Sequence, residues 1–212
     1  MNRRHLIILA AILAVLLAFL LFPSKYSRVR NLDSRGSNII AFGDSLTAGY
    51  GANPGGDYPS DLAKLLGLEV INAGVSGDTT ESALERIDAD VLQRSPRIVI
   101  VGLGGNDFLR GSTPASTEAN LRTIVKRIQS SGAMVVLLGF NFPSLGANWG
   151  AMYKRVASDE GCLLIPDLLD GIIGDPALKS DEIHPNAKGY AVMAERVAGP
   201  CRKLISKANG TR

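Results

Sequence analysis

An α/β domain with a five-stranded parallel sheet, preceded by one membrane helix, is the fold this sequence predicts. From Ser37 onward, short apolar runs of β type alternate with stretches of helical period. Two of the runs, IVIVG at 98–102 and MVVLLG at 134–139, are apolar on both faces, as strands covered on each side must be. The third observation lies apart from the domain: Leu6–Phe22 is an unbroken apolar run of seventeen residues behind Arg3 and Arg4.

As a helix this run is about 26 Å long at 1.5 Å per residue, slightly short of a hydrocarbon core of about 30 Å. Basic residues before an apolar run also suit a signal peptide. The run exceeds the usual h-region of about 7–15 residues, however, and no small-x-small cleavage site follows Phe22. An uncleaved anchor over residues 1–22 is the expectation, with a cleaved signal as the alternative. The short basic tail favours the inside, which puts the rest of the chain outside the cytoplasm. Residues 23–36 (PSKYSRVRNLDSRG) are polar, basic and aperiodic, and read as a linker to a domain at 37–212.

Within that domain the expected strands are Asn38–Phe42, Leu68–Asn72, Arg97–Leu103, Met134–Phe140 and Cys162–Ile165. Helices are expected at 58–66, 80–93, 115–131, 148–159 and 186–206. This alternation implies a parallel sheet with helices on both faces.

The formal charge of +3 misleads. Residues 1–36 carry six Lys/Arg against Asp33 alone, leaving 17 basic and 19 acidic groups in 37–212. The basic excess belongs to the membrane flank, and the domain has no nucleic-acid signature. Cys162 and Cys201 form neither a CxxC nor a metal spacing, so buried thiols and a disulfide both remain open.

Four polar patches fall just after strands. They are Gly43–Gly51 (GDSLTAGYG), Asn72–Asp78 (NAGVSGD), Gly104–Asp107 (GGND) and Asp181–Pro185 (DEIHP). In an open α/β sheet such turns share the carboxyl edge, so patches over a hundred residues apart converge. His184 is the only imidazole of the domain, hence the only neutral base at physiological pH. Asp181, three residues earlier, is close enough to fix its tautomer. Ser45 alone would read as a helix cap. Beside a histidine it becomes a nucleophile whose own N–H faces a developing oxyanion. Gly74 can offer a backbone N–H and Asn106 a side-chain amide to the same oxyanion, although each also suits an ordinary turn. Asp44, Asp78 and Asp107 read as caps and loop braces. Ser76 is a weaker rival for nucleophile. No carboxylate or histidine cluster supports a metal, and no cofactor is expected.

These four blocks resemble those of the SGNH (GDSL) hydrolase family, with GDSLTAGYG and DEIHPNAKGY the strongest matches, over roughly residues 37–206. The resemblance implies a flavodoxin-like three-layer α/β/α sandwich. It also implies Ser45 as nucleophile, His184 as base and Asp181 as its orienting acid, with an oxyanion hole from Ser45, Gly74 and Asn106. VSGDT and LGGNDFLRG look most like the bacterial thioesterase, lysophospholipase and arylesterase branch. Its members are typically exported and accept several acyl substrates. The absence of GxSxG disfavours the nucleophile-elbow fold.

The expected partners are a small acyl ester or lipid and the membrane, with no nucleic acid, and the expected state is monomeric. Asn141–Trp149 (NFPSLGANW) is a loop along which an acyl chain could lie. Two other functions use the same sequence: a carbohydrate O-deacetylase or acyltransferase at the cell envelope, and a membrane-tethered binding module without turnover.

Overall fold

The computed structural model describes His5, Ile7, Ile8, residues 24–141 and residues 148–211. Five strands, β1 (Asn38–Gly43), β2 (Val70–Gly74), β3 (Pro96–Gly102), β4 (Met134–Leu138) and β5 (Leu163–Ile165), form one parallel sheet in the order β2-β1-β3-β4-β5. β1, β3 and β4 hold the middle of the sheet. Their side chains from Ile39 to Phe42, Ile98 to Val101 and Met134 to Leu138 are all buried. This is why those runs lack a polar face. β2 lies at an edge and is only partly buried.

Among the described residues, seven α-helices connect and flank the strands: α1 (Ser45–Ala48), α2 (Tyr58–Leu66), α3 (Thr80–Asp90), α4 (Gly105–Leu109), α5 (Pro114–Ser130), α6 (Asn148–Glu160) and α7 (Ala187–Asn209). The sequence marks their starts. Asp57 accepts from Ser60 N–H ahead of α2, Thr79 and Ser82 form a reciprocal cap on α3, and Thr113 precedes Pro114 at the first turn of α5. α2 packs on α7, whereas α5 packs on both α3 and α6. The chain moves from β1 to β2 in one direction and from β2 to β3 in the other. Right-handed crossovers therefore put α2 and α3 on opposite faces. The three-layer sandwich follows.

The direction reverses between β1 and β3. That is the switch point where open α/β sheets have a crevice at the carboxyl ends of their strands. The turns after both strands carry Ser45 and Asn106.

Residues 24–36, expected as a linker, dock along the amino edge of the sheet. Lys25–Arg28 forms a 3₁₀ turn, Val29 is buried, and the Asn31 side chain donates to Gln129 O and Ala133 O at 2.8 and 2.9 Å. Arg30 N–H donates to Gly161 O, and Thr211 Oγ1 donates to Leu32 O. A polar, aperiodic stretch satisfies its hydrogen bonds here on neighbouring loops rather than in water. Of the expected anchor Leu6–Phe22, all but Ile7 and Ile8 lies outside the described residues. Among the described residues no helix is long and apolar enough to cross a membrane.

Candidate active site

β1 ends at Gly43, where a side chain could not fit: a Cβ would lie 2.2 Å from Thr47 Oγ1 and 2.4 Å from Gly102 O. Asp44 then caps the single turn α1, its Oδ1 accepting from Leu46 N–H at 3.0 Å. Ser45 is the first residue of that turn. Its N–H comes before any intrahelical partner, and Gly49, at φ 85°, ends the turn four residues on.

The base arrives from the other end of the chain. Ser180 N–H donates to His184 O at 2.9 Å, and Lys179 pairs with Pro185 in an antiparallel bridge, so His184 projects from a closed loop. His184 Nε2 lies 3.0 Å from Ser45 Oγ, and Nδ1 lies 2.8 Å from Asp181 Oδ2 and 3.0 Å from Oδ1. The carboxylate accepts from Nδ1–H and fixes that tautomer, which leaves the Nε2 lone pair to accept the serine proton. Asp181 Oδ1 also accepts the N–H groups of Ile183 and His184 at 2.9 and 2.8 Å. Burial pushes this carboxyl up, but the Ile183 N–H and the His184 ring and N–H outweigh it and hold it below the usual carboxylate range. The Tyr50 ring leans on the imidazole at 4.6 Å between centroids, its own backbone held by Tyr190 Oη.

Asn106 lies on α4 at the edge of the same cleft. One Nδ2 proton goes to Asp78 O at 2.9 Å, and the second is taken by no described residue. Gly74 does not match its expected role. Its N–H is donated to Asn72 Oδ1 at 2.9 Å, and its α-carbon is pressed on α1, where a Cβ would fall 2.2 Å from Ala48 N. The glycine lets β2 and α1 touch; its donor is already engaged. Gly77 is the better-placed glycine of that patch. It sits third in the Val75–Asp78 turn at φ 86°, a conformation that favours glycine, and its N–H meets no partner among the described residues. Asp78, which follows it, supplies the carbonyl that holds Asn106. A turn written V-S-G-D, with glycine at its third place, was the available sequence signal.

The three aspartates brace the cleft. Asp107 accepts from Thr80 N–H at 2.9 Å and Thr80 Oγ1 at 2.5 Å. Asp78 pairs with Arg86 at 2.5 Å, and Arg86 also donates to Gly43 O and Ala73 O, both at 3.0 Å, and to Asp90 Oδ2 at 2.8 Å. Its guanidinium also lies over the Phe42 ring, 4.4 Å from the centroid. One arginine thus ties the carboxyl ends of β1 and β2 to the loop that orients Asn106. Burial, with Asp78 and Asp107 nearby, pushes the Asp44 carboxyl up to about 7.

Beside Ser45 and His184 opens a cavity of about 240 Å³, walled by Phe108, Leu109, Phe140, Leu169, Ile173 and Ile183. Residues 142–147 of the expected acyl loop lie outside the described residues. Trp149 at its far end packs edge-on against Phe108 at 5.5 Å. Cys162 and Cys201 are free thiols, and burial pushes both up to about 12.

A doubly wound sheet with a hydrogen-bonded Ser–His–Asp array at its carboxyl edge defines a serine hydrolase class. Comparison with known proteins agrees. The GDSL-like Lipase/Acylhydrolase family matches residues 41–192. An esterase named TesA from Pseudomonas aeruginosa is 33% identical over 181 residues, which cover 79% of this chain and 89% of that one. The Thioesterase 1/protease 1/lysophospholipase L1 of Escherichia coli is 32% identical over 179 residues, 79% of this chain and 85% of the relative. Among solved structures, the psychrotrophic esterase EstA from Pseudoalteromonas sp., inhibited by monoethylphosphonate, superposes with a TM-score of 0.74 at 27% identity, covering 80% of this chain and 98% of EstA. The chain belongs to the GDSL-like (SGNH) hydrolases and is an ester-hydrolysing serine hydrolase.

Proposed function

We propose that the chain hydrolyses acyl esters and thioesters through an acyl-enzyme on Ser45. The observation that carries this reading is the Ser45–His184–Asp181 array opening into an apolar cavity. Ser45 Oγ attacks the carbonyl carbon as His184 Nε2 takes its proton. The Ser45 N–H, the second Asn106 Nδ2–H and the Gly77 N–H are the donors we assign to the oxyanion. Collapse of the intermediate expels the alcohol or thiol, which leaves with the proton from His184. Water, deprotonated by the same nitrogen, then releases the acid and restores Ser45. Asp181 stays ionised and steadies the imidazolium.

The cavity is below the roughly 300–1,000 Å³ of pockets for drug-sized ligands, and seven apolar side chains line it, Leu46 among them. It suits an acyl chain of several carbons better than an acetyl group, which favours the esterase over the O-deacetylase or sugar acyltransferase. Esterase, thioesterase and lysophospholipase names among the relatives support the same substrate class.

Treatment with a fluorophosphonate probe tests the reading and separates it from a binding module without turnover. The chain should be labelled, Ser45→Ala should not be, and the variant should keep less than a tenth of wild-type p-nitrophenyl ester turnover. Labelling of the variant, or retention of its activity, refutes the assignment. Faster turnover of acetyl than of decanoyl esters moves the reading to the deacetylase.

We further infer that residues 1–22 anchor the chain in the inner membrane with the domain at 37–212 outside the cytoplasm. The uninterrupted apolar run and the missing cleavage site support this. A C-terminal tag should resist carbonate washing and be digested by protease added outside the inner membrane. A shortened soluble product starting near Ser24 indicates a cleaved signal instead.

A further inference from the structure

The cations of the docked N-terminal segment do not face the catalytic cleft. On one side of the Lys25–Arg28 turn, a shallow depression is lined by Lys25, Arg28 and Lys154; on the other, a second is lined by Arg202, Lys203 and Lys207. No carboxylate lines either one, and none of these six cations forms an ion pair among the described residues. Nearby acids are engaged elsewhere: Glu160 and Asp159 are held by Arg122, and Arg30 also reaches Glu160. In a domain whose remaining charge is net acidic, this basic belt is local.

We infer that the belt docks on an anionic phospholipid surface and holds the catalytic cleft away from it. The inference rests on the anchor reading above. Phe22, the end of the apolar run, is two residues from Ser24, which borders one of the depressions. If the run lies in a bilayer, the belt meets the headgroups, and their phosphates complement six cations that no carboxylate among the described residues neutralises. The strands run from this amino edge to the site. β3, from Pro96 to Gly102, spans about 20 Å at about 3.3 Å per residue, so Ser45 opens on the far side. The substrates that reach it are therefore esters dispersed in the aqueous phase rather than lipids of the supporting leaflet.

The full chain is reconstituted into vesicles of phosphatidylcholine, alone or with phosphatidylglycerol, and footprinted with a membrane-impermeant amine-acetylating reagent. Carbonate extraction of the same vesicles reports on the anchor separately. Lys25, Lys154, Lys203 and Lys207 should lose about threefold or more of their labelling when phosphatidylglycerol is present, and high salt should restore it. Lys179 and Lys188, beside His184, should be labelled alike on both compositions. Equal labelling of the four amino-edge lysines on the two compositions overturns the docking even where carbonate shows the anchor intact. Protection of Lys179 and Lys188 in their place overturns the orientation. Extraction by carbonate overturns the anchor reading, and with it the tethered orientation, whatever the footprint.

Discussion

Replacing Arg86 by alanine removes four hydrogen bonds at once and leaves Asp78 without its cation. Both side chains are largely withdrawn from water, at 17% and 9% exposure, so solvent screening is weak. Breaking such a buried pair costs about 3–5 kcal/mol. Asp78 keeps its bond from Ser82 Oγ and Asp90 keeps Arg94, which places the loss near the lower end, at about 3 kcal/mol. With an m-value of about 2 kcal/mol/M for a domain of this size, the urea midpoint should fall by about 1.5 M. The same change frees the loop whose Asp78 carbonyl orients Asn106, so kcat should drop about tenfold or more while KM stays nearly constant. Arg86→Lys keeps a charge near Asp78 but cannot reach Gly43, Ala73 and Asp90 together, and should recover less than half of each effect. Urea melts followed by fluorescence, and p-nitrophenyl ester kinetics on the folded variants, measure both. A midpoint within about 0.3 M of wild type, with unchanged kcat, would mean that Arg86 is an ordinary helix-surface charge and refute the reasoning.

The Asp44 carboxyl titrates at about 7 when folded against 3.8 for the free group, so the folded chain binds the extra proton between those values. Its contribution to stability is complete below the lower value and is lost as pH rises through about 7. Asp44→Asn keeps an oxygen for Leu46 N–H and should flatten that decline; parallel urea midpoints for the two proteins across this range would contradict it. Asn106→Ala should lower kcat about 10²–10³-fold with little change in KM, and an effect confined to KM would make Asn106 a ground-state contact. His184→Ala should be nearly as damaging as loss of Ser45, whereas Asp181→Asn should hurt less. Wild-type turnover by His184→Ala at pH 7 would remove it as the base.

Burial on both faces made the central strands readable. The runs at 98–102 and 134–139 were apolar without alternation, and β3 and β4 sit there within a residue or two. The five long helices were legible too, and in the structure Asp57, Thr79, Thr113 and Asn186 cap four of them, whereas the single-turn α1 and α4 are too short to show a helical period. Edge strand β2 begins two residues later than the apolar pattern suggested, since Leu68 is exposed in the turn before it. Ser45 and Asn106 stood out because each follows a strand in a patch too polar for the core, and Asp181 and His184 because they form an equally polar patch, which the structure places in the loop before α7 rather than directly after β5. Two features were hidden. Gly74 and Gly77 share one patch, and beyond the turn signal of V-S-G-D it is the hydrogen bond from Gly74 N–H to Asn72 that shows Gly77 to be the one without a partner among the described residues. The role of Arg86 is hidden because two of its four acceptors are main-chain carbonyls 13 and 43 residues away.

The bond between Ser45 and His184 joins residues 139 apart, and His184 is carried by the loop that leads into the last helix, α7. During synthesis β1 and its serine leave the ribosome long before their partner has been translated. Until α7 has followed and packed on α2, Ser45 is an ordinary alcohol with no imidazole to take its proton. With the roles proposed for Ser45 and His184, activity begins only when the chain is nearly complete. A premature stop between codons 46 and 184 yields a fragment that keeps Ser45 and lacks the histidine paired with it.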